Sequence, residues 1–311
     1  MAMKNVKLVI LCFLFCSQAV YAQDDVMTMR IMTYNIRHGE GMDNVIDLDR
    51  QAKVIADATP DIVGLQEVDS CVKRSGYIAE AAVLGKKAGM YATFGGAIPL
   101  TGGKYGVAIL SKEKPLSYHN TPLPGKEART LLVCEFQEYM FACTHLDLEE
   151  ENRLASLDII LEEAACWDKP FFICGDWNDI PTSTLITRMK KNFSFLNNIT
   201  ASSSNYTFPA GTPNKIIDYI ASYGRVVKSV RKRQVINESE ASDHRPVLVE
   251  IRLDRYTTPI FSPVEDNAQS SKFKAQSIYD LSGRQINTQF PISCFQLRKG
   301  LYIVNGKKVY N

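Results

Sequence analysis

The stretch Asp61-Ile62-Val63-Gly64-Leu65-Gln66-Glu67 decides the fold of this 311-residue chain. It is a short apolar run bounded by acids, which is typical of a buried strand that ends at a carboxylate. A strand-like segment, Met29 to Tyr34, precedes it. Between the two lies a segment with apolar residues at helical spacing, which an N-cap at Asp47 begins and Pro60 ends. The sequence therefore predicts a strand–helix–strand unit.

A second unit of the same order follows later in the chain. It consists of a strand over Phe141–Thr144, a helix over Glu149–Trp167 and a strand over Phe171–Cys174. The second strand of each unit leads into a carboxylate, Glu67 in the first unit and Asp176 in the other. Two similar halves predict an α/β protein in which two β-sheets pack together with helices on the outside.

Segments rich in β-branched and aromatic residues and interrupted by Gly and Pro predict the remaining strands. They are Tyr91–Ile98, Gly106–Ser111, Arg129–Phe136, Ile216–Ser222, Val226–Arg231 and Val247–Leu253. The composition then changes, so residues 24–254 are predicted to form one main domain and residues 255–275 a linker. Residues 276–311 are predicted to form a small β-rich module with a hairpin turn at Asn305-Gly306.

Five polar clusters stand where predicted strands stop, and loops from strand ends commonly build functional sites. The clusters are Asn35, Glu67, Thr144–Asp147, Gly175–Asp179 and Ser242–Pro246. Taken singly, an acid at a strand end is more often a helix cap or a turn residue. Together the clusters contain every group that the hydrolysis of a phosphate ester needs.

Oxygen ligands for a hard cation are predicted at Asn35, Glu67 and Asp243. Mg²⁺ or Mn²⁺ suits carboxylate and amide oxygens better than zinc does. The eight cysteines include no CxxC pair, so a cysteine zinc site is not expected. The sequence therefore predicts a divalent metal held by oxygen.

The remaining polar side chains suit the phosphoryl group and the water that attacks it. His145, His244 and Asn178 are the predicted donors to phosphoryl oxygens, and Asp176 is the predicted base for the attacking water. Asp218 is predicted to accept the second ring proton of His244 and so to hold that imidazole cationic. An acid on a solvent-facing strand is the alternative for Asp218, which its apolar neighbours disfavour.

The motifs resemble those of the endonuclease/exonuclease/phosphatase superfamily, and they arrive in the order of that family over residues 28–253. The matching segments are Thr33–Arg37, Leu65–Val68, Tyr105–Ser111, Thr144–Asp147, Gly175–Asn178, Ile217–Ile220 and Ser242–Val247. Near the end of the chain, Asp280–Arg284 and Lys299–Ile303 are similar to C-terminal sorting-type modules of exported Bacteroidetes proteins. A plain β appendage is the alternative for that module.

The family resemblance implies a four-layer α/β/β/α sandwich of two mixed β-sheets flanked by helices, with a metal at Glu67. It also implies that Arg129 lies near the substrate, where Asn35, His145 and Asn178 would contact the phosphate; a surface arginine is the alternative for Arg129. One departure is Arg37, which stands where some nucleases of the family carry an acid. A metal site that uses such an acid is therefore not expected, and Arg37 or the adjacent His38 could face an anionic substrate instead.

Residues 1–22 predict a signal peptide, in which Lys4 and Lys7 precede the apolar run Leu8–Phe15 and Val20-Tyr21-Ala22 offers a cleavage site. A lipid anchor is disfavoured, because a bulky residue precedes each cysteine of that segment. Export to the periplasm, the cell surface or the extracellular space is expected. The protein is expected to be a monomer with no stable protein partner.

The sequence predicts a secreted, divalent-metal-dependent phosphoric ester hydrolase, a phosphodiesterase for a lipid head group or a small phosphodiester. A secreted nuclease is one alternative, although the formal net charge of +2 argues against a surface built for nucleic acid. The basic cluster Arg231-Lys232-Arg233 is interpreted as a solvated loop or strand edge. A catalytically silent binding module is the second alternative, which the presence of every expected acid and histidine disfavours.

Overall fold

The structure, a computed structural model, describes residues 26–254 and four short strands within residues 278–310. The predicted signal peptide and the whole of the predicted linker lie outside the described residues. The helices are α1 (Leu48–Ala58), α2 (Glu80–Ala88), α3 (Glu150–Ala165) and α4 (Thr184–Met189). The strands of residues 26–254 are β1 (Val26–Asn35), β2 (Ile62–Ser70), β3 (Tyr91–Leu100), β4 (Gly103–Ser111), β5 (Ser117–Leu123), β6 (Arg129–Glu135), β7 (Met140–His145), β8 (Phe171–Asp176), β9 (Phe193–Phe195), β10 (Asp218–Tyr223), β11 (Ser229–Val235) and β12 (Val247–Asp254).

These strands form two six-stranded mixed sheets. The first sheet has the order β11-β12-β1-β2-β4-β3 and the second has the order β5-β6-β7-β8-β10-β9. The parallel pairs are β1 with β2 and β7 with β8, which are the two strand–helix–strand units predicted from the sequence. The other pairings within these sheets are antiparallel.

Three apolar clusters hold the layers together, which confirms the predicted four-layer sandwich. The cluster between the sheets includes Ile31 of β1 and Phe172 of β8. The outer face of the first sheet packs against α1 and α2, and that of the second sheet against α3 and α4. Successive residues of a strand point to opposite faces, so Ile31 enters the central cluster while the adjacent Met32 packs under the helices. Strands covered on both faces are apolar throughout, which explains the unbroken apolar runs of the sequence.

The sheets approach each other closely at Gly64, in the middle of the stretch that decides the fold. A Cβ atom at this position would collide with the sulfur atoms of Cys143 and Cys174 on the facing sheet. These cysteines are buried and free, as the apolar surroundings of their segments in the sequence suggest. Within residues 26–254 no helix is both long and apolar enough to cross a bilayer.

The element boundaries differ from the predictions in a few places. The strand predicted to finish at Glu67 continues to Ser70, because a bulge between Leu65 and Val68 restores its pairing with β4. The predicted strand over Val226–Arg231 lies instead at Ser229–Val235. Helix α2 and strand β5 were not predicted. Strand β5 alternates exposed and half-buried residues, so it lacks the apolar run that identified the others.

The described C-terminal strands are β13 (Ile278–Tyr279), β14 (Gln285–Ile286), β15 (Leu301–Val304) and β16 (Lys307–Tyr310). They form an antiparallel sheet of order β14-β13-β15-β16 within the predicted β-rich module. Val304 pairs with Lys307 across the predicted hairpin turn, and that turn itself lies outside the described residues.

Candidate active site

The sheet topology brings the predicted site residues to one edge of the sandwich. Asn35, His145 and Asp176 end the strands β1, β7 and β8. Asp218 begins β10, which runs antiparallel to β8, so that Asp218 and Asp176 are register partners. His244 lies shortly before β12, which is antiparallel to β1. The C-terminal ends of β1, β7 and β8 and the N-terminal ends of their antiparallel neighbours thus lie at the same edge of the sandwich.

Asn35 connects the two sheets. Its amide nitrogen donates to Oε1 of Glu67 at 3.0 Å and to Oδ2 of Asp176 at 3.1 Å, and its side-chain oxygen accepts from the backbone N–H of Arg37 at 3.1 Å. The residue is fully buried. In this orientation Asn35 positions two carboxylates, and its oxygen already has a partner. Its predicted place among the metal ligands stays a prediction.

Glu67 occupies the bulge of β2 and has a φ of 57°. A positive φ at a residue other than glycine is uncommon and is frequently found at functional sites. Bulges change the direction in which a side chain points, and here the carboxylate meets Asn35 at the sheet edge. The sequence could not reveal this bulge, because neither Gln66 nor Glu67 is a glycine, the residue type that would mark one.

Asp176, His244 and Asp218 form a buried chain of carboxylate, imidazole and carboxylate. Nδ1 of His244 lies 3.0 Å from Oδ2 of Asp218, and Nε2 lies 3.5 Å from Oδ2 of Asp176. The backbone N–H of Asn178 donates to Oδ1 of Asp176 at 2.9 Å. Both ring nitrogens of His244 thus face a carboxylate, which favours the doubly protonated ring.

The charge states of Asp176 and His244 follow from burial and from the neighbouring groups. Burial alone lowers the pKa of His244, but Asp218 and Asp176 together raise it to about 10. Burial raises the pKa of Asp176 to about 7, against the opposing effect of cationic His244. His244 is therefore cationic at neutral pH, and Asp176 lies in the range suited to a general base.

His145 differs from His244 in its charge. Burial, Arg129 and His244 lower its pKa well below the ordinary value, so that the ring is neutral. Its Nδ1 lies 3.3 Å from NH1 of Arg129. Its Nε2 lies 3.0 Å from the side-chain amide nitrogen of Asn178 and 3.5 Å from Oδ2 of Asp176. A guanidinium and an amide nitrogen can only donate, so both ring nitrogens face a donor and these contacts do not fix the tautomer of the neutral ring. Arg129 is buried and pairs with Glu127, so it is not the surface arginine of the alternative interpretation.

A buried ion pair supports the loops that carry His145 and Asn178. Nε of Arg153, on α3, donates to Oδ2 of Asp179 at 3.0 Å, and NH1 donates to the carbonyl of Leu148 at 2.6 Å. Asn178 has a φ of 50° and lies directly before Asp179. Arg153 therefore ties the loop after β7 to the loop after β8. The sequence analysis missed Arg153, because a charged residue on a helix is most often exposed.

Arg37 and His38 both turn toward Glu40. NH2 of Arg37 lies 3.1 Å from Oε1 of Glu40, and Nε2 of His38 lies 3.4 Å from Oε2. Both residues have a positive φ, 47° and 42° respectively. Arg37 is therefore paired within its own loop in this conformation. The predicted basic cluster at Arg231–Arg233 lies on the edge strand β11, where Nε of Arg233 donates to the carbonyl of Leu196.

The donor set at this edge fits a hard cation. Among the described residues, Oε2 of Glu67 and Oδ2 of Asp243 have no hydrogen-bond partner, and both are carboxylate oxygens. Ser242 donates to the backbone carbonyl of Asn35 at 2.7 Å, which brings the adjacent Asp243 to the end of β1. Asp176, Asp218 and His244 also offer ligand atoms within 4.8 Å of one another. Their mutual hydrogen bonds already account for that cluster, so Glu67 and Asp243 are the better-suited ligands.

Comparisons with known proteins agree with this architecture. The model of the Endonuclease/Exonuclease/phosphatase family matches residues 32–244, which is more than half of the chain. No curated protein matches the chain. A structure of an endonuclease/exonuclease/phosphatase from Beutenbergia cavernae is similar at 20% identity, with a TM-score of 0.60, over 84% of this chain and 88% of that one.

Two structures from Bacteroides are similar as well. An endonuclease/exonuclease/phosphatase from Bacteroides vulgatus has 22% identity and a TM-score of 0.60, over 73% of this chain and 99% of that one. A mannosyl-6-phosphatase from Bacteroides thetaiotaomicron has 17% identity and a TM-score of 0.57, over 72% of this chain and 99% of that one. At these identities the similarity establishes the shared fold.

Proposed function

Because the chain belongs to the Endonuclease/Exonuclease/phosphatase family, we propose that it is a divalent-metal-dependent phosphodiesterase in which Asp176 activates the attacking water. The observation that carries the proposal is the environment of Asp176. Its carboxylate is buried, is oriented by the backbone N–H of Asn178 and the amide of Asn35, and lies between two histidines. A carboxylate held in this way is placed to accept a proton from water bound at the sheet edge.

Cationic His244 is the donor for a phosphoryl oxygen. Asp218 accepts the proton on Nδ1 and keeps the ring charged and oriented. The second ring nitrogen, Nε2, is also protonated and lies 3.5 Å from Oδ2 of Asp176. As negative charge develops on the phosphoryl oxygens, a fixed cationic donor stabilises the transition state more than the bound ester.

Neutral His145 and Asn178 complete the set of donors. The guanidinium of Arg129 faces Nδ1 of His145, and the side-chain amide nitrogen of Asn178 faces its Nε2. These contacts hold the imidazole ring in place. Both groups are oriented before any substrate arrives, which avoids the cost of reorganising them during the reaction.

The metal of this proposal is Mg²⁺, with Mn²⁺ as a substitute, held by Glu67 and Asp243. When bound, Mg²⁺ would neutralise charge on the phosphoryl group and keep several water ligands, because it rarely takes all six ligands from protein. Asn35 orients Glu67 for this task through Oε1 and leaves Oε2 free among the described residues.

The metal requirement is tested by the hydrolysis of bis-p-nitrophenyl phosphate by purified protein before and after EDTA treatment. The expected result is loss of activity in EDTA and recovery with Mg²⁺ or Mn²⁺. The control is Asp158→Asn, an exposed acid on α3, which should behave like the wild type. Full activity in EDTA would contradict the metal requirement, and no activity with any divalent ion would favour a silent binding module.

A substrate panel separates the proposed phosphodiesterase from a nuclease or a phosphomonoesterase. Plasmid DNA, RNA, sphingomyelin, phosphatidylinositol derivatives, bis-p-nitrophenyl phosphate and p-nitrophenyl phosphate should be compared at equal metal concentration. The proposal predicts the highest kcat/KM for a lipid head group or a small phosphodiester. A preference of tenfold or more for DNA would instead assign a nuclease.

We further propose that the protein is exported. The proposal is supported by the charged and apolar pattern of residues 1–22, and fractionation of cells that produce the protein would test it.

A further inference from the structure

Two loops, neither of them part of a sheet, meet beside the proposed metal ligands. The first, residues 36–47, follows Asn35 at the end of β1, and the second, residues 236–246, carries Asp243 and leads into β12. The backbone N–H of Met42 donates to the carbonyl of Glu240 at 2.8 Å, so the two loops are in contact. The position of Asp243 relative to the end of β1 therefore depends on how these loops are held together.

Gln51 of α1 connects the two loops. It is fully buried, and its Nε2 donates to the carbonyl of Ile36 at 2.7 Å and to the carbonyl of Ala241 at 2.9 Å. The amide group of glutamine carries two hydrogens, so each loop receives one of them. Ile36 directly follows Asn35, and Ala241 lies two residues before Asp243. One helical side chain thus fixes the backbone on both sides of the site.

An amide is out of keeping with the rest of the buried face of α1. The other buried residues of this helix are apolar: Leu48, Ala52, Ile55 and Ala58. A buried polar group costs free energy unless it has hydrogen-bond partners, and Oε1 of Gln51 has none in the described structure. An apolar side chain would avoid this cost. The amide contributes its two donated bonds instead, and among the described residues no other group donates to the carbonyl of Ala241.

The bonds of Gln51 reinforce contacts that place the two proposed ligands. The amide of Asn35 orients Glu67, and the hydroxyl of Ser242 donates to the carbonyl of Asn35, which brings the adjacent Asp243 to the end of β1. Because the two partners of Gln51 flank these residues, it restrains the segments that position both carboxylates. A divalent ion binds more tightly when its ligands are already in place, since ordering them then costs little.

We propose that Gln51 is a positioning residue for the divalent metal, which holds the loop of Asp243 against the end of β1 by donating to both loops. The inference rests on the metal site of the proposed function and adds a residue that sets its affinity without being a ligand. Hydrogen bonds outside the ligand set typically change metal affinity by about 10- to 100-fold. Without the two bonds of Gln51, the ion would have to order the loops as it binds.

The test measures Mn²⁺ binding in the absence of substrate, from the electron paramagnetic resonance signal of the free ion. Gln51→Met preserves the length of the side chain, and methionine adapts to irregular space, but it cannot donate to either carbonyl. Its dissociation constant for Mn²⁺ should be about tenfold higher than that of the wild type. Gln51→Asn keeps the amide but is one methylene shorter, so it can reach at most one loop and should give an intermediate value.

Steady-state kinetics on bis-p-nitrophenyl phosphate provide a second readout. In Gln51→Met the Mn²⁺ concentration that gives half-maximal activity should rise by about the same factor as the dissociation constant. The kcat at saturating Mn²⁺ should remain close to the wild-type value, because the bound ion restores the arrangement of its ligands. Since binding is measured without substrate, an absence of hydrolysis would count against the proposed function only.

Two further variants serve as controls. Ile55→Val truncates a fully buried residue one helical turn after Gln51, so it lowers stability, as urea unfolding would show, without touching either carbonyl. Its dissociation constant for Mn²⁺ should equal that of the wild type. Glu67→Gln identifies the site that is measured, and it should abolish the binding of Mn²⁺ that the wild type shows.

The outcomes separate this inference from the proposed function. An unchanged dissociation constant in folded Gln51→Met or Gln51→Asn, or an equal increase in Ile55→Val, would overturn the positioning role and leave the proposed function standing. A wild type that binds no Mn²⁺, or a Glu67→Gln protein that binds it normally, would overturn the metal site of the proposed function and this inference with it.

Discussion

Nδ1 of His244 lies 3.0 Å from Oδ2 of Asp218, and both side chains are almost completely buried. A buried imidazole without a partner is neutral, because burial disfavours the charged form. Here Asp218, together with Asp176, reverses that effect and raises the pKa of His244 to about 10. The charge of His244 at neutral pH therefore depends on these neighbouring carboxylates.

Replacing Asp218 by Asn should change the pH dependence of the reaction. The wild-type His244 stays cationic as pH rises through 8 and loses its proton only near its raised pKa of about 10. Without the Asp218 charge the pKa of His244 falls, so the alkaline loss of activity moves to lower pH, and kcat at neutral pH falls by about 10²-fold or more. A pH–rate profile measures both effects. A profile of unchanged shape would show that Asp218 serves only packing.

Arg153 should affect catalysis through the loops that it joins. The variant Arg153→Met leaves buried Asp179 unpaired and frees the carbonyl of Leu148, so the free energy of unfolding should fall by about 3–5 kcal/mol. Below the melting transition, kcat should fall more than KM changes, because Asn178 and His145 lose their fixed positions. Denaturant unfolding and steady-state kinetics measure these effects.

The conservative variant Arg153→Lys keeps the charge and can make only part of these hydrogen bonds. It should recover part of the stability and part of kcat. An Arg153→Met protein with the wild-type kcat would contradict a positioning role, even if its stability were reduced.

Glu80 should make the protein less stable at alkaline pH. Its side chain is fully buried, one oxygen accepts from the backbone N–H of Asp69, and the other has no partner in the described structure. Burial raises its pKa to about 8, so between pH 4.5 and 8 the folded state holds a proton that the unfolded state has lost. Stability then decreases with rising pH, by at most about 1.4 kcal/mol per unit.

The variant Glu80→Gln should remove the contribution of Glu80 to this slope, because glutamine does not titrate, while Asp176 and His244 keep theirs. Denaturant unfolding between pH 5 and 9 measures the slope for both proteins, and Glu113→Gln, an exposed acid, is the control. Parallel slopes for the wild type and Glu80→Gln would show that Glu80 does not titrate in this range.

The fold was predictable where apolar periodicity is unambiguous. Helix α1 begins as predicted, with the Asp47 side chain accepting from the N–H groups of Asp49 and Arg50. Both parallel pairs follow from strands that are apolar on each face. Strand β5 was missed because one side of an edge strand remains exposed, and α2 was missed because its N-cap, Ala79, has no capping side chain.

The site was predictable at the level of which residues meet, and less so in their roles. Polar residues at strand ends identified Asn35, Asp176 and His244, because parallel topology brings such ends together. The amide orientation of Asn35 depends on its three partners from distant segments, which no local pattern encodes. The bulge at Glu67 and the pairing of Arg153 with Asp179 also depend on tertiary packing, so no local pattern of the sequence encodes them.

The most direct test of the account is the kcat of Asp176→Asn on bis-p-nitrophenyl phosphate with Mg²⁺, measured on protein shown to be folded by circular dichroism. Asparagine keeps the size of the side chain but cannot accept a proton from water. The account predicts a loss of about 10²- to 10⁴-fold in kcat, the range expected for a general base. A variant that retains the wild-type kcat would contradict the role of Asp176 and, with it, the proposed mechanism.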